Sequence, residues 1–341
     1  MTTLRAAAPP REGLRSRTLV AGVVVVAALA AARVATSALP AGILPDRLQD
    51  FVTLTLSVVI ESLPFVLLGI VLSIAVQVWL PDGVFTRILP TTPLLRRAVV
   101  SLIGVFLPVC ECGNVPLARG LVVKGLSVSE SMTFLIAAPI VNPITIVTTY
   151  QAFGFSHGIL VARIAGGFLV ANLLGWLYSR HPDQQSLLTA SFARECRVEA
   201  SHVHEGAGSR IASSAQVFRR EMSALLPALI VGAAIAGGVQ TVVPRSILIA
   251  LGANPVWSVL AMMALAFVIS ICSNVDAFFV LPFASTFLPG GLVAFLVFGP
   301  IVDIKMLTLL RTTYRPAVLV QIAVVVGLLA ATIGLAVNVL G

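Results

Sequence analysis

The chain has 341 residues, of which 58% are hydrophobic and only 11% charged, with a mean hydropathy of +1.03. That balance excludes an ordinary water-soluble globular protein and indicates a polytopic membrane protein whose surface packs against lipid. The net charge of +8 gives no case for nucleic acid as a partner, because membrane proteins gather Lys and Arg on cytoplasmic loops for reasons of topology.

In chain order, residues 1–17 form a basic cytoplasmic tail with Arg5, Arg11, Arg15 and Arg17. The apolar run at 18–39 is longer than the roughly 7–15 residues of a signal-peptide core and reads as an uncleaved first span, with Arg33 snorkelling near its end. Apolar runs of membrane length follow at 51–80, 128–152, 157–179, 221–243, 291–310 and 316–340. Two more, 98–123 and 256–288, are apolar but interrupted, the first by FLPVCECGNVPLARGLVVKG at 106–125. Between the halves, 180–217 reads as a flexible aqueous linker. Its Cys196, Glu199, His202, His204 and Glu205 fit no standard structural zinc spacing.

The two halves align at an offset of 161 to 164 residues. VQVWLP at 76–81 matches VQTVVP at 239–244, Pro93 falls on Pro255, and Cys110 falls on Cys272. APIVN at 138–142 matches GPIVD at 299–303, and TTY at 148–150 matches TTY at 312–314. These matches predict an all-α fold of two repeat bundles, 50–179 and 218–341, joined by a cytoplasmic linker and preceded by one extra span. If both interrupted segments leave on the side they enter, 18 of the 22 basic residues face inward: the four of the tail, Arg87, Arg96, Arg97, Arg119, Lys124, six from Arg180 to Arg220, and Lys305, Arg311 and Arg315. That parity makes the repeats inverted. It leaves open whether the chain turns back at CECGN or at PIVNP.

Irregular backbone at membrane depth is tolerated only inside protein or against a watery cavity, and paired interruptions in inverted halves point to a central binding site. PVCECGNVPLARGLVVKG, FLIAAPIVNPITI and SICSNVDAFFV resemble the predicted permease family that includes the ArsP organoarsenical efflux permeases, over about 50–340. The resemblance implies a cytoplasmic-membrane permease; characterised relatives export trivalent organoarsenicals, and some members are associated with zinc-responsive regulation.

The candidate pathway residues are Cys110, Glu111, Cys112, Asn114, Pro139, Asn142, Pro143, Cys272, Asn274, Asp276 and Asp303. Cys110, Cys112 and Cys272 are candidate soft-metal or arsenical ligands, against the plain alternative that cysteine is a common small interior residue. An ionisable group at the bilayer centre costs at least about 2.5–3.5 kcal/mol, which singles out Glu61, Glu111, Asp276 and Asp303. Lys305 is positioned to neutralise Asp303, whereas Arg119 and Lys124 read as topological anchors. Pro139 and Pro143 beside Asn142, like Pro116 beside Asn114, free backbone carbonyls.

These features predict a secondary transporter of a thiophilic small molecule or metal species working by proton exchange, with no cofactor, and the family resemblance implies that the direction is export. No phosphate-binding loop motif is present. A channel or a membrane subunit of a zinc-linked metal-handling complex is the alternative. An intramembrane thiol enzyme using Cys110 is a further rival, but it lacks a base histidine in the membrane, His157 lying at a span end.

Overall fold

The computed structural model describes residues 46–340 apart from 82, 108, 202–206 and 243–253. The tail 1–17, the first span 18–39 and the linker residues His202, His204 and Glu205 therefore lie outside the described residues. Among the described residues the chain is helical, without strands, and five helices are long and apolar enough to cross a membrane. Large apolar side chains such as Ile60, Val71, Val320 and Leu328 are exposed, as lipid-facing positions of a bundle should be.

In the first half, α1 (Asp46–Ile74, extended by a π turn Ala75–Trp79) and the short α2 (Val84–Ile88) lead to α3 (Pro93–Leu102). After a 3-10 turn (Ile103–Phe106) and a break comes α4 (Glu111–Val123). Then α5 (Val128–Val141) and α6 (Pro143–Phe153) are separated by Asn142 alone, and α7 (Ile159–Ser179) closes the half. The second half repeats this order. It has α9 (Ala207–Val242), α10 (Pro255–Ile269), a break at 270–275, α11 (Asp276–Val280), α12 (Pro289–Phe298), a break at 299–303, α13 (Ile304–Leu310) and α14 (Pro316–Leu340).

Contacts give the direction of each helix. Arg96 near the start of α3 pairs with Glu130 at the start of α5, and Arg97 reaches Ser179 at the end of α7. A side chain at Gly104, just past α3, would strike Ala138 near the end of α5, so α3 runs parallel to α5. The return helix α4 is antiparallel to it: Asn114 shares an acceptor, the Val109 carbonyl, with Asn142 just beyond α5, while Ser131 in the first turn of α5 donates to the Ala118 carbonyl. Hence α3 and α4 form a hairpin that enters and leaves at the end of the bundle carrying residues 180–201, here the linker end. The chain turns back between α3 and α4, just ahead of the CECGN stretch that was the first of the two places left open by the sequence, and crosses at Asn142.

In the second half, Asn338 near the end of α14 accepts from the Gly290 amide and donates to the Pro255 carbonyl. The starts of α10 and α12 thus meet at the opposite, far end. The hairpin α10–α11 enters from there, and α12–α13 crosses back to the linker end, where Arg315 N bonds to Leu187 O. Helices α1 and α9 are antiparallel, with Gly237 against Thr55 at one end and Arg220 on Gln77 at the other. The two halves therefore run with opposite polarity, as the charge distribution predicts for inverted repeats.

Two elements differ from expectation. The linker is not simply an aqueous loop: it carries a 3-10 turn at Gln184–Leu187, helix α8 (Ala190–Ser201) and the first turns of α9. Leu187, Leu188 and Phe192 are buried, and the Arg119 guanidinium lies 4.1 Å from the Phe192 ring centroid, so apolar and cationic contacts hold this segment down. The apolar run at 291–310 is not one helix, because Gly299, Pro300 and the N-capping Asp303 divide it. Packing is close where backbones cross. A Cβ on Gly69 of α1 would collide with the Gly113 carbonyl of α4, the small-residue contact by which membrane helices approach in the absence of a hydrophobic drive between them.

Candidate functional site

All four interruptions meet at the centre. Cys110 and Glu111 start α4, Asn142 caps α6, Asp276 starts α11 and Asp303 caps α13. The Asn142 Nδ2 donates to the Val109 carbonyl at 2.9 Å and to Asn274 Oδ1 at 3.3 Å, while its own Oδ1 accepts from the Ile144 amide. Thr145 also donates to Asn274 Oδ1. One asparagine thus fastens both breaks of the first half to the first break of the second. Pro143, with no amide hydrogen to lose, occupies the first position of α6; Pro139 lies in the last turn of α5.

Glu111 is fully buried and is the hub of the centre. Its Oε2 accepts from the Ser273 amide at 3.1 Å and the Ser273 hydroxyl at 2.8 Å, with the Cys272 sulfur at 3.6 Å. Its Oε1 meets Lys305 Nζ at 3.1 Å, with the Cys112 sulfur at 4.0 Å. Cys110, Glu111 and Cys112 each present a ligand atom within 4.8 Å of the others, and all three cysteines are free and buried. Sulfur and carboxylate together suit a borderline or soft cation such as zinc, or a trivalent arsenical. Glu61 of α1 is half-buried.

Lys305 does not serve chiefly as a hydrogen-bonded neutraliser of Asp303. Its ammonium reaches across to Glu111, while Asp303 turns one oxygen back to cap its own helix at the Met306 amide. The other, Asp303 Oδ2, is buried without a hydrogen-bond partner among the described residues, as is Asn114 Oδ1.

Charged layers lie on either side. Toward the far end, Arg163 of α7 grips Asp276 of α11 with two bonds of 2.9 and 2.6 Å, and also bonds Thr149 and the Ser273 carbonyl. Beyond it, a cleft of about 640 Å³ opens at the far end between Phe153, His157, Leu281, Ser285 and Leu292. Toward the linker end, Arg119 is buried rather than anchored at an interface. It pairs with Glu221 at 2.8 Å and Glu195 at 3.3 Å and donates to the Thr312 carbonyl. Arg220 binds Glu195 at 2.7 Å. In this layer, outside the membrane segments, burial pushes the Cys196 thiol up to about 11.

Sequence reading missed Ser273 and Arg163. Ser273 is the repeat counterpart of Glu111, and Arg163 is a lone cation in an apolar span, so each left a signal.

Interrupted helices meeting between halves of opposite polarity, around buried charges, define a multi-pass membrane permease of the cell membrane. Residues 47–339 match the family ArsP_1, described as "Predicted permease", and the chain belongs to that family. The UPF0718 protein YcgR of Bacillus subtilis (strain 168) is 36% identical over 263 residues, covering 76% of this chain and 87% of that protein. A Streptococcus mutans protein named "Putative two-component membrane permease complex subunit" is 34% identical over 278 residues, covering 82% and 91%. No solved structure matches.

Proposed function

We propose that the chain is a secondary transporter that exports a thiophilic solute, a trivalent organoarsenical or a soft metal cation, by alternating access of its two halves in exchange for protons. The observation that carries this reading is the buried Glu111 carboxylate with three free thiols around it, built where the helix breaks of both halves converge. The Arg163–Asp276 layer and the Arg119–Glu221–Glu195 layer then serve as the outer and inner gates. The family and its relatives speak for a transporter rather than an enzyme. The linker end faces the cytoplasm in this reading, which the basic residues gathered there support.

The test is uptake of radiolabelled methylarsenite and of ¹⁰⁹Cd²⁺ into inverted membrane vesicles, with and without a proton uncoupler. Uncoupler-sensitive uptake that Cys110→Ser and Cys112→Ser each abolish is the expected result, since a hydroxyl is a poor ligand for soft acceptors. Wild-type uptake in the double serine variant would leave the cysteines as packing residues. A second reading, a membrane subunit of a two-component permease, rests on the name of the Streptococcus relative. It requires a second chain to restore transport that this chain alone does not perform.

A further inference from the structure

We propose that Lys305 is a tethered counter-cation with two seats: it occupies Glu111 while the site is empty, and it moves to Asp303 when a cationic substrate takes Glu111. The inference rests on the reading that Glu111 and the thiols hold a soft cation, and it narrows the cargo toward a cation rather than a neutral arsenical.

The first seat is directly visible. Lys305 is buried and its Nζ meets Glu111 Oε1, the same oxygen that the Cys112 sulfur approaches. The other carboxylate oxygen accepts from the amide and hydroxyl of Ser273, with the Cys272 sulfur beside it. Oε1 is the oxygen that the ammonium holds, and a cation seated between Cys110, Cys112 and Oε1 lies against that ammonium. Two like charges at such separation inside protein repel strongly, so one must withdraw.

The second seat is marked by an unfilled acceptor. Asp303 stands two residues before Lys305 at the start of the same helix, its Oδ1 committed to the Met306 amide and its Oδ2 buried with no hydrogen-bond partner among the described residues. An unpaired buried carboxylate oxygen is costly, and among the described residues Lys305 is the principal charge acting on Asp303. A change of rotamer in the lysine stem carries the ammonium from one carboxylate to the other. The exchange keeps a cation on Glu111 in both the empty and loaded carriers, and it breaks the Glu111–Lys305 bridge between α4 and α13 only when substrate is present.

The experiment measures ¹⁰⁹Cd²⁺ binding to the detergent-purified full chain, with size-exclusion profiles to verify folding. Lys305→Met removes the competitor and should tighten binding at least 10-fold. Asp303→Asn weakens the second seat and should loosen binding at least 10-fold. The double variant should behave as Lys305→Met alone. Opposite signs are the signature, because a merely structural ion pair gives losses in both. In reconstituted vesicles Lys305→Met should retain Cd²⁺–Cd²⁺ exchange while net transport falls at least 10-fold, since the empty carrier then carries a bare buried carboxylate. Equal affinities, or shifts of the same sign, overturn the two-seat role. If the wild type binds no Cd²⁺, or if Cys110→Ser/Cys112→Ser binds it equally well, the thiol-site reading itself fails and the two-seat role with it. Binding that depends on the cysteines but not on Lys305 sinks the two-seat role alone.

Discussion

The Arg163–Asp276 pair lends itself to a quantitative test because both partners are buried and neither has a substitute charge among its hydrogen-bond partners. Removing one partner of a buried pair leaves an uncompensated charge and typically costs about 3–5 kcal/mol. Asp276→Asn should fall at the lower end, near about 3 kcal/mol, because an amide oxygen can still accept from Arg163, which keeps Thr149 and the Ser273 carbonyl. Arg163→Met should fall at the upper end, about 5 kcal/mol, since both oxygens of Asp276 lose their guanidinium donors. In equilibrium unfolding in mixed micelles these correspond to folded-to-unfolded ratios lowered by roughly 10² and 10³ to 10⁴. The double variant Arg163→Met/Asp276→Leu removes both charges and should recover to within about 1–2 kcal/mol of wild type, the usual outcome when a buried pair is replaced by apolar groups. If Asp276→Asn unfolds at the wild-type midpoint, the ion pair contributes nothing to stability and this reasoning is refuted. A wild-type midpoint together with a lost pH dependence of transport would instead make Asp276 a proton carrier.

Gly69→Val should strike the Gly113 carbonyl and sharply reduce the yield of monodisperse protein by opening the α1–α4 contact, whereas Gly125→Ala, with open space around it, should cost only the strain of its positive φ. Cys196, with its thiol pushed up to about 11, should have about one thiolate in a thousand at pH 8 and react with maleimide far more slowly than an exposed thiol, as followed by peptide mass mapping. Single cysteines at Ser191 and Ser156, in a background free of other cysteines, should be labelled by an impermeant maleimide from opposite sides of the membrane, Ser191 from the cytoplasmic side. Labelling of both from one side removes the crossing at Asn142.

Much of the architecture is legible in the sequence, because lipid imposes its demand residue by residue. A run of about 20 apolar residues must span, a polar break in such a run must be covered by protein, and basic residues collect on one side. Those local rules suffice for the spans from 51 to 179, for the duplication, for the opposed polarity of the halves, and for Cys110, Glu111, Asn142, Cys272 and Asp276 as members of one centre. Partner choice is different in kind. Whether Lys305 turns to Asp303 beside it or to Glu111, 194 residues away, depends on how α4 and α13 pack against each other, because an oxygen of Asp303 stays open even after the other caps the helix at Met306. Arg119 looks like an interfacial anchor until α8 and α9 bring Glu195 and Glu221 against it. The turn-back between α3 and α4 rather than at Asn142 was likewise beyond the sequence, since both breaks satisfy the same charge rule. Only the packing of α3 and α4 on either side of α5 distinguishes them, because hairpin and crossing differ in which distant surfaces they bury, and that is a property of the assembled bundle.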